Sequence, residues 1–366
     1  MNLRVLMVSA AYFPSLGGVE THVHEAALRL ASMGISVEVL ATDLSGRLPV
    51  HEEHDGIEVR RVRAFPEGRD WRFAPGIDKA IGQGKWDVIH CQGYHTLVAP
   101  IALAAAWRRS IPSVLTFHSG GASTPLRSAI RRVQLLLLRP LVRHARALLA
   151  VSEFERESLA AALHLSRERF VVIPNGSELP RPDLTPNDDA RDTLVLSIGR
   201  LVRYKGHHRA IAAMPDLLRE RPDARLEIVG AGPDEAELRQ QIEDLGLEKR
   251  VRIRAIPGAD RQAMANLVGM ADLVTLLSEY ESQGIAALEA ITLGRKVLVA
   301  DTSALSELAR DGRARAVPLD ASPAETARAI LESLEDPPPS VAVSPWTWDD
   351  CANELAAVYR RVAEAR

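Results

Sequence analysis

Short apolar runs alternate with segments of helical period along almost the whole chain, and that alternation leaves few folds open. In the first half the runs fall at residues 3–9, 35–42, 57–62, 86–91, 112–118, 147–152 and 170–174, and in the second half at 194–200, 225–230, 251–255, 272–277, 296–300 and 313–317. The stretch Val19–Met33 shows the intervening pattern: Val19, Val23, Ala26, Ala27 and Leu30 recur on one helical face, and Gly34 stands where a left-handed C-cap falls. Strand, helix, strand in this order predicts parallel sheets covered by helices on both faces. The two series are separated by a polar stretch carrying Pro174, Pro180, Pro182 and Pro186, which can neither continue a helix nor join a central strand. A chain of 366 residues has room for two such domains. We therefore expect a Rossmann-like domain over 1–175, a linker over 176–192, a second Rossmann-like domain over 193–340, and a terminal segment 341–366 with a helix near Trp348–Val362. The sequence does not reveal the packing partner of that helix.

Several function classes drop out on composition. Lys and Arg number 45 against 48 Asp and Glu, so the global basic excess of a nucleic-acid binder is missing and any anion site must be local. Two cysteines, Cys91 and Cys351, make neither a disulfide framework nor a four-ligand zinc pattern. The longest apolar run, Leu97–Trp107, is short of the roughly 20 residues that cross a bilayer. The N-terminal apolar run reads as a strand and not as a cleaved leader, so the expected location is cytoplasmic.

Ligands of doubly wound sheets sit beyond the carboxyl ends of the strands, at the point where the strand order reverses. The motifs there exclude some ligands. The loop SAAYFPSLGGVE after the first strand lacks G-x-G-x-x-G, the turn starting at Gly230-Ala231-Gly232 lacks its third glycine, and no Walker A loop occurs, so dinucleotide binding is disfavoured. Other features are positive. Gly17 and Gly18 precede a helix start, where backbone N–H groups and the helix dipole suit an anion or a sugar, although a Gly-Gly pair can also be a plain flexible turn. Arg200 and Lys205 follow a strand and are placed to neutralise a pyrophosphate without a metal, unless they form only a solvated basic loop.

Glu281 and Glu289 form an E-x7-E pattern. On one continuous helix they would lie about 12 Å apart along the axis, so they are no acid/base pair. Gly284 can break the connection, leaving Glu281 in a loop and Glu289 inside a helix, with the N–H groups of Gly284 and Ile285 at the positive end of the dipole. His22 and His24, two apart on a helix, do not face each other, and His51 and His54 fall in a polar loop with no further ligand in view. Neither pair reads as a metal site. His207-His208 reads as a solvated helix start, and Cys91 as a buried thiol.

G-G-V-E after strand one, His118 in LTFHSG, P-N-G at 174–176, G-R-L-x-x-x-K-G at 199–206, G-x-G-P at 230–233 and E-x7-E at 281–289 run in order along nearly the whole chain. Together they resemble the retaining glycosyltransferases of family 4. The resemblance implies the GT-B fold, two facing Rossmann-like domains with the site in the interdomain cleft. It implies a nucleoside-diphosphate-sugar donor held mainly by the C-terminal half, and an acceptor hydroxyl on a glycan, a lipid-linked sugar or a small-molecule glycoside held by the N-terminal half. Neither a metal nor a cofactor is implied. By the same resemblance His118 lies beside the transferring sugar, Glu281 contacts that sugar and Glu289 grips the ribose. Arg200 and Lys205 clamp the diphosphate, and the Gly17-Gly18 loop approaches it. The anomeric carbon keeps its configuration, with the departing phosphate taking the acceptor proton.

The chain departs from the family at Ser282-Gln283, where Gly-Phe is common, and at Ser303-Ala304, where Gly-Gly is frequent. A nucleotide-sugar epimerase and a non-catalytic sugar-nucleotide binder fit the same architecture. The basic, leucine-rich segment 127–146 offers either a peripheral contact with anionic membrane, as some relatives use, or a core helix with a solvated face broken at Pro140.

Overall fold

The computed structural model describes residues 3–15, 17–67, 72–120, 125–183, 192–258, 260–337 and 346–364, side chains at 125–132 excepted. The chain divides into two compact units, one of Met1–Ser119, Thr124–Gly176 and Trp346–Arg366, the other of Gly120–Ser123 and Ser177–Pro345.

The first unit holds eight strands, β1 (Arg4–Ser9), β2 (Ser36–Asp43), β3 (His51–His54), β4 (Ile57–Arg63), β5 (Val88–Gln92), β6 (Ser113–Thr116), β7 (Ala147–Ala150) and β8 (Phe170–Val172), in the order β3-β4-β2-β1-β5-β6-β7-β8. Every pairing is parallel except β3 with β4. Its helices are α1 (Gly18–Ser32), α2 (Gly76–Gln83), α3 (Val98–Arg108), α4 (Pro125–His144) and α5 (Glu153–Leu163). Alternation along β1 sends Leu6 and Val8 into one core layer, under α2 to α5, and Val5 and Met7 into the other, under α1. One helix does not cover the second face of an eight-stranded sheet. The terminal helix Trp348–Glu364 fills the gap, burying Cys351, Ala352, Leu355, Val358 and Tyr359 beside Val23, Ala27 and Leu30 of α1. A Cβ on Gly176 would lie 2.5 Å from the Trp348 ring, so only glycine admits this packing.

The second unit is a six-stranded parallel sheet in the order β11-β10-β9-β12-β13-β14, from β9 (Leu194–Ile198), β10 (Arg225–Val229), β11 (Val251–Arg254), β12 (Leu273–Leu276), β13 (Lys296–Ala300) and β14 (Arg315–Val317). One face carries α6 (His207–Glu220), α7 (Glu235–Asp244) and α11 (Pro323–Glu335), and the other α8 (Arg261–Met270), α9 (Ile285–Thr292) and α10 (Leu305–Arg310). The terminal helix of the first unit completes the set as α12.

Three local expectations are corrected. The HEEH segment is not a loop: β3 pairs antiparallel with β4, from His51 opposite Arg60 to His54 opposite Ile57. As a sheet edge it needs backbone partners on one side only and no apolar alternation. Pro140 does not break its helix, since α4 runs through it to His144. His207 is not solvated. It is 2% exposed, its ring fixed by Ser197 Oγ at Nδ1 (2.9 Å) and by the Arg200 carbonyl at Nε2 (3.2 Å).

Candidate active site

The strand orders locate the switch points. In the first unit the chain winds outward from β1 through β2 to β4 and returns to β5 on the other side of β1; in the second it winds from β9 to β11 and returns to β12 on the other side of β9. Loops after β1, β5, β9 and β12 therefore border the two crevices.

At the second unit's switch point Lys205 follows β9 and Glu281 follows β12, and Lys205 Nζ donates to Glu281 Oε1 at 2.7 Å. Ser278 Oγ donates to the same oxygen at 2.8 Å. The Glu281 backbone is clamped too, its N–H donating to Ser303 Oγ (2.9 Å) and its carbonyl accepting from Ala304 N–H (3.2 Å). Their side chains are 18% and 14% exposed, enough for an ammonium with three donors to serve a further oxygen. Arg200 stands on the same β9 loop but is exposed, and its guanidinium has no hydrogen-bond or ion-pair partner among the described residues.

The geometry of that loop rests on glycines. Gly206 has φ +75, and a Cβ there would lie 1.9 Å from the Leu277 carbonyl oxygen. A Cβ on Gly230 would meet the Gly199 carbonyl at 1.9 Å, and one on Gly232 the Leu201 carbonyl at 2.3 Å, so G-x-G-P seats one strand-end loop directly on another.

Gly284 takes φ +80 as N-cap of α9, which leaves Glu281 in the loop and carries Glu289 into the helix. Glu289 is buried and pairs with Arg261 Nη2 at 2.7 Å, and the same nitrogen donates to the Glu178 carbonyl at 2.8 Å. Burial raises the Glu289 carboxyl above the ordinary value and Arg261 opposes the rise. Ile285 opens α9, so its N–H lies in the first turn.

In the first unit His118 follows β6 with φ +46 and is buried. Its Nε2 donates to Gln92 Oε1 at 2.8 Å, which places the ring proton on Nε2 and leaves Nδ1 as an acceptor. The Gln92 amide in turn reaches the His90 ring (3.2 Å), whose Nδ1 meets Tyr359 of α12 (2.6 Å) and whose Nε2 meets Thr116 (2.7 Å). Burial, then neighbouring imidazoles, hold His118 well below the usual histidine value, so it is neutral. His22 of α1 lies edge-on to His118 at 4.6 Å. The loop bearing His118 is pinned by the buried Glu155, which accepts from Ser119 N–H at 2.5 Å and Val151 N–H at 2.8 Å.

Gly17 and Gly18 do not serve as a flexible turn, because Gly17 is extended at φ −163 and Gly18 already belongs to α1. A Cβ on Gly17 would meet Glu20 Oε2 at 2.5 Å, and one on Gly18 would meet nothing within 4 Å. The Glu20 carboxylate therefore sits beside Gly17, while the space at Gly18 is unobstructed.

The structure groups Lys205 with Glu281 and places Glu289 against Arg261, all in the second unit, while His118, Gly17 and Gly18 belong to the first. Sequence reasoning missed Gln92, Arg261, Ser278 and Ser303. Gln92 had a signal in the polar pair His90 and Gln92 on one face of an otherwise apolar run, and Ser303 had one in its departure from the family's frequent Gly-Gly.

The family model Glycosyltransferase Family 4 matches residues 16–181 and the model Glycosyl transferases group 1 matches residues 185–344. Sucrose-phosphate synthase from Thermosynechococcus elongatus superimposes with a TM-score of 0.80 at 21% identity, covering 100% of both chains. HepE from Anabaena, in complex with UDP and glucose, does so with a TM-score of 0.72 at 21% identity, covering 99% of this chain and 98% of that one. These likenesses define a GT-B fold. A glycogen synthase from Mycobacterium tuberculosis is 29% identical over 98% of this chain and 94% of its own. The chain belongs to the group 1 glycosyltransferases.

Proposed function

We propose that this glycosyltransferase is a retaining, metal-independent hexosyltransferase that moves a sugar from a nucleoside diphosphate to an acceptor hydroxyl. The observation that carries the reading is the Lys205–Glu281 pair at a switch point, with the free guanidinium of Arg200 on the same loop and the α9 N-terminus following Glu281. The chemical demand is stabilisation of the charge that develops on the departing diphosphate. The Lys205 ammonium, held by Glu281, and helix N–H groups supply it without a carboxylate base, with Arg200 free to add its charge. Glu281 takes sugar hydroxyls, Glu289 with Arg261 takes the ribose, and the start of α1 at Gly18 receives the phosphates. His118, neutral and with Nδ1 unprotonated, accepts from a hydroxyl of the transferring sugar. The acceptor proton passes to the leaving phosphate oxygen on the same face, which retains the anomeric configuration.

Val133, Leu136 and Leu137 of α4 are 56%, 49% and 75% exposed while Leu135 and Leu138 are buried, and we assign that outer face to peripheral contact with anionic lipid. No described helix is long and apolar enough to cross a membrane. Cosedimentation with phosphatidylglycerol vesicles, lost in Leu137→Glu, tests the contact.

The function is tested by screening nucleoside diphosphates and their sugars for thermal stabilisation, then assaying the best donor with an acceptor panel in EDTA. The expected product keeps the donor's anomeric configuration. Isomerisation of donor alone would make the protein an epimerase, and stabilisation with no product across the panel would make it a binder.

A further inference from the structure

The fold brings together one member of each histidine pair of the sequence. His24 from the second turn of α1, His54 at the end of β3 and Asp55 in the turn to β4 each offer one ligand atom, and the three atoms lie within 4.8 Å of one another. Asp55 Oδ2 is 3.2 Å from His24 Nε2 and 3.7 Å from His54 Nε2. Two ligands on one zinc ion with bonds near 2.0–2.1 Å stand about 3.3 Å apart, so small side-chain rotations close the set.

We propose that His24, His54 and Asp55 bind a divalent transition metal, Zn2+ above all. Two imidazoles and one carboxylate suit that ion, whereas Mg2+ and Ca2+ require more oxygens than these residues provide. The surroundings are built for it. The Tyr12 hydroxyl lies 2.8 Å from His24 Nδ1, so with the ring proton on Nδ1 it orients Nε2 toward the ion, as outer partners of metal-bound histidines do. The Phe13 ring packs 4.8 Å from both imidazoles and walls the site on its inner side. Asp55 is 62% exposed and leaves a coordination position open to water. A bound ion would tie together the loop after β1, helix α1 and the β3–β4 hairpin. It would brace the root of the segment that leads to Gly17 and Gly18, and it takes no part in the transfer chemistry.

The experiment titrates Zn2+ into the chelator-stripped full chain against a chromogenic zinc indicator, and Co2+ into a parallel sample read by visible absorption. One equivalent of Zn2+ is expected, with the absorption of tetrahedral Co2+. Both are lost in H54A/D55A, whose far-UV circular dichroism should match the parent. H51A retains both, and Y12F weakens binding by about 10–100-fold. Less than one equivalent bound by the parent, or undiminished binding by H54A/D55A, overturns the proposal, and neither result touches the transferase reading.

Discussion

The two units share one plan and equip their switch points in opposite ways. The first lines up neutral groups: His118, Gln92, His90, Thr116 and Tyr359 are all buried and joined by hydrogen bonds, and burial holds both His118 and His90 well below the usual histidine value. The second sets out charges, Lys205 with Glu281 and Arg261 with Glu289, at partly open positions, and leaves the Arg200 guanidinium in solvent. A buried chain of neutral dipoles is stable only when each donor finds an acceptor, which fixes side-chain orientation and suits the reading of hydroxyls. Half-open ion pairs keep spare donors, which suits an anionic group that comes and goes. The electrostatics of each unit taken alone thus set the two switch points apart.

The largest effect should come from breaking the charged side. Lys205→Ala removes the ammonium paired with Glu281, and kcat/KM should fall by about 10²–10³, in the range seen when a preorganised donor to a developing anion is lost. The melting temperature should stay close to the parent's, because Glu281 keeps its Ser278 bond. Steady-state kinetics with the preferred donor decides this. Full turnover in the variant would show the pair to be structural, and the contrast between the units would lose its functional meaning.

Acid should separate the units next. His22, His90 and His118 in the first and His207 in the second are buried and held neutral, with His22 and His207 both lowered to about 4. The unfolded chain takes up protons on these rings below an ordinary value of about 6.5 and the folded chain does not. Stability is therefore full above that value and falls as pH drops toward 4, by up to about 1.4 kcal/mol per pH unit for each histidine. Glu38 and Glu155 in the first unit and Glu289 in the second, all raised by burial, act in the opposite sense and soften the slope. Hydrogen exchange at pH 7 and pH 5 should show β5 and β6 losing more protection than β9 and β12; equal losses would count against the contrast.

A smaller and more local test is Gln92→Leu. It strands His118 Nε2 and one side of His90, which should lower stability by about 1–3 kcal/mol. With no acceptor at Nε2 the ring is free to carry its proton on Nδ1, so kcat should fall more than KM rises. Imidazole 15N shifts report the tautomer directly; an unchanged Nε2–H form would remove Gln92 from the positioning role.

Gln92 also marks where the sequence stops being readable. The strand run at 3–9 and the helix over Val19–Met33, closed by Gly34 at φ +80, are visible because their period and terminator lie within a few residues of each other. Both winding series follow from such local signals repeated, whereas the GT-B fold is legible only through the family resemblance of the ordered motifs. What escapes is set by partners far along the chain. His90 meets Tyr359 across 269 positions, Arg261 meets Glu289 across 28, and nothing near either residue announces the pairing. Strand β3 is hidden for a related reason, since its backbone is satisfied by β4 and its four side chains carry no apolar alternation. The terminal helix showed its apolar face without showing that the first unit's sheet had a bare one to offer.

The smallest effect tests where the charged unit borrows the neutral unit's method. Ser303 takes φ +51, a left-handed conformation that glycine adopts freely, and this accounts for the first glycine of the Gly-Gly pair frequent at this point in the family. The side chain that strains the backbone also anchors it, since Ser303 Oγ accepts the Glu281 N–H at 2.9 Å. Ser303→Gly relieves roughly 1 kcal/mol of strain and forfeits a hydrogen bond of similar net value, so urea unfolding should detect a change of no more than about 0.5 kcal/mol. Ser303→Ala keeps the strain and loses the bond, and should be less stable by about 1 kcal/mol. If that variant also turns over more slowly while Ser303→Gly does not, the Glu281 loop is being held by its dihedral angles and the hydroxyl only compensates for the missing glycine; if both slow equally, the hydrogen bond itself sets the carboxylate against Lys205.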